Sequence, residues 1–287
     1  MAKNIFLAWQ NRTDEGTLSG GSWITALPLT NLQNQQVQKV ARSTNATTAS
    51  TQFSINLGQA RAIGVVALVV HNIGVSGKVR ITGASNSGFT SPEYQSAWID
   101  VWPSGIIPQE LLEWEDDNFW LGTMSAEQRA GYQSPFIHIL PTAQSLRYWK
   151  VEIDDTTNTA GYVQIGRLFM ARGWRPDVNY SYGASLKYDD PSVTETSLSG
   201  AEYFDVRSKY RVMNLTLRYM SSTEAYSYAL ELQRLSGTTA EVLVVPDSDD
   251  VAQQPLRSYV GRLRQTQPVT QPELSTYAVS FEIKEKL

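Results

Sequence analysis

Four tryptophans, Trp98, Trp102, Trp114 and Trp120, lie in or beside the long loops of the first half of the chain. They flank an acidic run of Glu110, Glu113, Glu115, Asp116 and Asp117. Aromatic faces stack on the C–H surfaces of pyranose rings, with neighbouring polar groups fixing the orientation. Carbohydrate contact is therefore one reading of the four. The other is that two are core and the rest cover loops or touch a partner. The acidic run could supply a glycosidase pair, which needs carboxyls roughly 5 Å or 6.5–9.5 Å apart across a sugar cleft. Adjacency in sequence does not create that geometry, and such a run is ordinarily a solvated face.

Other chemistry has less support. Asp154, Asp155 and Asn158, and again Asp247, Asp249 and Asp250, are hard oxygen donors of the kind calcium takes. Neither set follows a spaced metal loop, and turn chemistry accounts for both, so no metal is expected. The two histidines, His71 and His138, sit in no motif. No nucleophile elbow, zinc helix motif or phosphate loop occurs. There are no cysteines, which removes disulfides, thiolate metal sites and cysteine nucleophiles. The expectation is a protein that is not an enzyme and uses no cofactor.

Composition bounds the partners. The 287 residues carry a net charge of −4, and lysine and arginine form no stripe, so no sequence-specific nucleic acid is expected. No apolar run reaches about 18 residues, so no membrane insertion is expected. Apolar residues make up 41%, enough for a core, and the length suits two domains of roughly 100–200 residues. Absent cysteines suit synthesis in a reducing cytoplasm.

The elements that must position these residues are short and β-rich. Tyr148–Ile153 alternates, with Tyr148, Lys150 and Glu152 on one side and Trp149, Val151 and Ile153 on the other. Period two means a sheet with one buried face. With Tyr162–Ala171 it predicts the closing hairpin of a sandwich. Ile63–Val70 is a continuous β-branched run, which predicts a strand covered on both faces. Ile5–Trp9, Thr51–Leu57, Lys78–Thr82, Trp98–Trp102 and Ser134–Leu140 also read as strands, the last ended by Pro141. Beyond residue 200, Lys209–Tyr219, Glu241–Val245, Ser258–Arg264 and Ser275–Lys284 read as strands. Ser221 with Glu224 forms a capping box, and Ala225, Tyr228, Ala229, Leu232 and Leu235 recur at helical spacing up to Gly237. The pattern predicts a mainly β chain: a sandwich over 1–175, a connector over 176–199 that pairs along an edge, and a small β domain over 200–287 with one packed helix near 222–236.

Three segments together carry a resemblance: FSINLGQARAIGVVALVVHNI from Phe53, KVRITGAS from Lys78, and RYWKVEIDDTTNTAGYVQIGRLFMARGW from Arg147. They resemble the galactose-binding-like (discoidin-type) jelly-roll, through Arg147-Tyr148-Trp149-Lys150-Val151 and Gly161 to Leu168. Trp23 to Leu32 and Ala41-Arg42-Ser43 are similar to structural proteins of tailed bacteriophages. Arg211–Tyr219, Val242–Asp247, Tyr259–Leu263 and Ser280–Glu285 resemble the β-barrel ring domain of distal tail proteins of long-tailed siphophages. The resemblance implies a virion protein of the tail tip, forming a closed hexameric or trimeric ring between the tail tube protein and the hub and fibre proteins of the host-recognition apparatus. It places subunit contacts on the edge strands Lys209–Tyr219 and Ser275–Lys284, with Arg211, Leu215, Arg218, Tyr219, Tyr277 and Phe281 as the contact candidates. The alternative is a carbohydrate-binding module protein that recognises a host surface glycan. Exposed tryptophans around a cleft favour sugar, whereas burial between subunits favours assembly.

Overall fold

The computed structural model describes residues 4–115, 118–120, 122–125, 129 and 134–287. Its first strand, β1 (Phe6–Trp9), does not join the sandwich that follows it. β1 pairs antiparallel with β14 (Val242–Val245), Phe6 opposite Val245. The chain then builds a separate eight-stranded sheet before returning. That sheet contains β2 (Thr17–Ser19), β3 (Ala41–Arg42), β4 (Phe53–His71), β5 (Lys78–Ala84), β6 (Tyr94–Gln95), β7 (Ile99–Asp100), β8 (Phe136–Asp154) and β9 (Gln164–Ala171). The return is fixed by two backbone hydrogen bonds, Leu7 N–H to Trp174 O (2.9 Å) and Trp174 N–H to Leu7 O (2.7 Å). The sandwich is thus inserted between β1 and the rest of the second sheet, and the boundary predicted at 1–175 shifts by its first strand.

The sandwich is wound around β4. Its neighbours are β9 on one side and β8 on the other, in the order β3-β9-β4-β8-β5-β6. This corrects the predicted closing hairpin: β8 and β9 are not partners but sit on opposite edges of β4. β4 and β8 are each 19 residues long, and their ladder slips twice, between Asn56 and Arg61 and between Ile63 and Val65. Such bulges bend a strand and let one long ladder wrap a core. The second slip also admits Pro141, so β8 runs through a proline where a stop is predicted. Gly64 sits in this slip because a Cβ there would lie 2.2 Å from the carbonyl oxygen of Arg172.

Alternation explains why β4 is buried on both faces. Ile63, Val66 and Leu68 face the sandwich core with Phe53, Trp149, Ile153 and Leu168. Val65, Ala67 and Val69 face the other way, against Phe6, Ala8, Leu243, Val245 and Val260 of the second sheet. Two sheets therefore pack face to face through an apolar layer, and the continuous β-branched run is the strand between the two layers.

The second sheet runs β1-β14-β15-β17-β13-β10, with β10 (Ser185–Asp189), β13 (Tyr210–Met220), β15 (Tyr259–Leu263) and β17 (Thr276–Glu285); β16 (Thr270–Glu273) pairs with β17. Its far face carries Leu215, Leu217, Phe281 and Ile283 against Ala225, Ala229 and Leu232 of the helix. That helix, α1, occupies 222–236, with α-helical ends and a π-helical middle over Ala225–Leu230. The capping box is present in both directions between Ser221 and Glu224, and Gly237 takes φ +49° after the last turn.

β10 does pair along an edge, with β13. The hairpin that follows, β11 (Val193–Thr196) and β12 (Glu202–Asp205), pairs only with itself and is exposed throughout. Among the described residues, Leu198, Tyr203, Phe204 and Val206 stand in solvent on this arm. The strands predicted to be edges are interior: β13 lies between β17 and β10, and β17 between β15 and β13. Of the predicted subunit contacts, Arg211, Leu215 and Phe281 are buried in this chain's own core, with no surface to offer a neighbour. Arg211 is held there by Glu285 and by the Leu256 carbonyl. Arg218 and Tyr219 are exposed, and Tyr277 is half-buried with its ring edge-on to Tyr226 at 5.3 Å.

Candidate functional site

The outward positions of β5 and β8 assemble a polar face around one aromatic ring. Register places Arg80 opposite Glu152 and Thr82 opposite Lys150. Arg80 Nε donates to Glu152 Oε2 (2.8 Å), and Lys150 Nζ donates to Oε1 (2.9 Å). The Arg80 guanidinium also lies over the Trp98 ring, 4.6 Å from its centroid. Trp98 remains 37% exposed. The loop that presents it is anchored on both sides: Ser96 N–H donates to Ile81 O, and Val101 N–H donates to Gly77 O.

The charges on this face are fixed. Burial pushes the Glu152 carboxyl up, but Arg80 and Lys150 outweigh it and hold the group below its usual range. The hydrogen bond to Glu152 raises Arg80 further. On the core side of the same sheet, against Trp149, Tyr94 shares a 2.5 Å hydrogen bond with His138 Nε2, and burial lowers His138 to about 4. A carboxylate locked between two cations is a poor general acid or base. An aromatic ring backed by a guanidinium, with hydrogen-bonding side chains beside it, is instead equipped to hold a polar ring.

The four predicted tryptophans do not form one site. Trp102 is core: it is 6% exposed, its Nε1–H donates to Ile73 O (2.9 Å), and His71 packs edge-on against it. It has no face left for a ligand. Trp114 and Trp120 are exposed on the loop after β7, Trp120 with its ring edge-on to Phe119 at 5.4 Å. Glu110, Glu113 and Glu115 are exposed on the same loop, while Asp116 and Asp117 lie outside the described residues.

Both acidic turns carry turn chemistry. Asp155 Oδ2 accepts from Gly74 N–H (2.9 Å) and Asn158 Nδ2 (2.6 Å), and Asp247 Oδ1 accepts from Asp249 N–H (2.9 Å). No group of three or more potential metal ligands converges among the described residues. Lys150 and Glu152 were visible in the sequence as one outward face. Arg80 was not, because only the β5–β8 register brings it there.

No protein-family model and no curated protein matches the chain. Solved structures resemble its sandwich half. A family 32 carbohydrate-binding module from a family 31 glycoside hydrolase of Clostridium perfringens shares 11% identity over 57% of this chain and 98% of its own, with a TM-score of 0.38. The family 32 module of C. perfringens NanJ, solved with galactose, shares 13% over 57% and 98%, with a TM-score of 0.37. The lectin domain of lectinolysin, solved with Lewis b antigen, shares 16% over 57% and 96%, with a TM-score of 0.36.

Proposed function

We propose that this chain is a non-catalytic glycan-recognition protein whose sandwich face holds a neutral sugar ring at Trp98. The observation that carries this reading is the half-exposed Trp98 ring, backed by Arg80 and bordered by the Arg80–Glu152–Lys150 ion triad. Trp98 offers an apolar face, and the partly exposed Arg80 and Lys150, held in place by the buried Glu152, offer donors for hydroxyls. Galactose and Lewis b are the first ligands to screen. Trp98→Ala is expected to weaken binding about tenfold, the scale of one aromatic contact, with Trp114→Ala and Trp120→Ala leaving it within about threefold. Titration calorimetry or a glycan array reads the result; no glycan bound, or an undiminished Trp98→Ala, overturns it.

A second reading, a ring-forming protein of a phage tail tip, is favoured by the β11–β12 arm. A lone two-stranded hairpin is marginally stable in water, and this one carries exposed Tyr203 and Phe204. A partner surface would cover it. Arg218, Tyr219 and Tyr277 then remain as contact candidates, with tail tube and hub proteins as neighbours in the virion. Light scattering is expected to show a discrete hexamer or trimer that Tyr203→Ser with Phe204→Ser dissociates. A monomer unaffected by those changes leaves only the first reading.

A further inference from the structure

Where the chain passes from β1 into the sandwich it leaves a groove of about 390 Å³, walled on one side by the β4 bulge and on the other by α1. Arg12, Arg61 and Arg172 line it, together with Trp9 and Tyr228. Their charges are not balanced locally. Glu15 is shared, accepting from Arg12 (2.6 Å) and from Arg61 (2.5 Å). Glu231, on the opposite wall, is taken up by Arg234 at 2.7 Å. Arg61 is further engaged by the Gln59 amide oxygen, 2.9 Å from Nη2, whereas Arg172 is exposed and makes no ion pair among the described residues. Of the three lining arginines, two share Glu15 and Arg172 has no ion pair among the described residues, in a chain of net charge −4.

The walls are built rather than incidental. Tyr228 stacks on Trp174 (5.5 Å between centroids, 9° between planes), and Trp9 meets the same ring edge-on at 6.4 Å. Gln10 takes φ +62°, in the left-handed region that a glutamine rarely adopts, and its Oε1 accepts from Arg12 Nη2 at 2.7 Å. Backbone strain held in place beside a cluster of cations is a pointer to a ligand site.

We propose that this groove binds a carboxylated sugar of the uronic acid class. Its carboxylate would sit on Arg172, in the positive field of Arg12 and Arg61, and its ring against Trp9 and Tyr228. The fork of a guanidinium matches a planar carboxylate in two parallel hydrogen bonds, and the flat aromatic wall suits a sugar ring. The site is separate from Trp98 and does not depend on that reading.

Titration calorimetry of the full chain at low salt with galacturonate, galactose, acetate and inorganic phosphate tests it. Galacturonate is expected to bind at least tenfold more tightly than galactose or acetate. Arg172→Ala, at a surface position free of ion pairs among the described residues, is expected to lose at least tenfold, while Trp98→Ala keeps galacturonate affinity. No galacturonate binding overturns the proposal. Acetate binding as tightly as galacturonate overturns the part played by the ring, and phosphate binding more tightly overturns the carboxylate assignment. Loss of galacturonate in Trp98→Ala, with none in Arg172→Ala, moves acid-sugar binding to the sandwich face and overturns the groove.

Discussion

Arg167→Ala is expected to lower the unfolding free energy by about 3–5 kcal/mol, the cost of removing one member of a buried ion network. Arg167 is fully buried on β9, yet it reaches beyond the sandwich. Its Nη1 and Nη2 donate to Asp14 (2.6 and 2.8 Å), and its Nε and Nη2 donate to Glu241 (3.0 and 2.7 Å), the residue that precedes β14. Lys286 adds a further bond to Glu241 at 2.8 Å. Removing the guanidinium leaves Glu241, itself 3% exposed, with one partial counter-charge. Urea denaturation checks the value. The double variant Arg167→Met with Glu241→Leu is expected to recover much of the loss, because it removes both charges together. A single-variant loss below about 1 kcal/mol would contradict a network that clamps the sandwich to the second sheet.

Stability is expected to fall steeply between pH 6.5 and about 4. Burial, with a smaller contribution from Arg129, lowers His71 to about 4, and burial lowers His138 to about 4. The ordinary value for both is 6.5. Above pH 6.5 the folded and unfolded states both carry neutral imidazoles. Below it the unfolded chain takes up protons that the folded chain refuses, so stability drops until the folded pKa is passed. Each histidine supplies up to about 1.4 kcal/mol per pH unit, and the pair up to twice that. His71 shows the structural reason: its Nδ1 accepts from Ile73 N–H (3.3 Å), and a proton there would face a donor. Asp155, raised by burial, works in the opposite direction and offsets part of the fall. Unfolding free energies across this range, compared with a His71→Gln, His138→Gln variant, decide the matter. A wild-type curve as flat as the variant's would sink the expectation.

Much of the architecture could be read before any coordinates. The β-branched run of β4 announced a strand covered twice, and Ser221, Glu224 and Gly237 marked both ends of α1, because these are local signals with local causes. What covers the second face of β4 was not legible. Phe6 and Ala8 come from one end of the chain and Leu243 and Val245 from the other, and no local pattern reports such a meeting. The same limit hid the true edges of the second sheet: β13 and β17 alternate as edge strands do, and only pairing with β10 and β15 shows them interior. At the candidate site, Trp98 was visible by type. Its partner Arg80 needed a register, and the burial of Trp102 needed the position of the Ile73 carbonyl. For the groove, Arg12, Arg61 and Arg172 are too far apart in sequence to look like a cluster.

The insertion of the sandwich between β1 and the rest of its sheet bears on how the chain folds. Phe6 must find Val245 across almost the whole chain, and non-local pairings of this kind are slow to form. The entropy of closing a loop grows with the free chain between its ends. Once the sandwich has formed, however, the Leu7–Trp174 bridge brings its two ends side by side, and the interval that remains to be searched begins at Trp174. The inserted module therefore acts as an internal template. Variants that slow the sandwich, such as those in the β4 bulge, should delay the second sheet as well, while variants in β17 should leave the sandwich's own rate untouched.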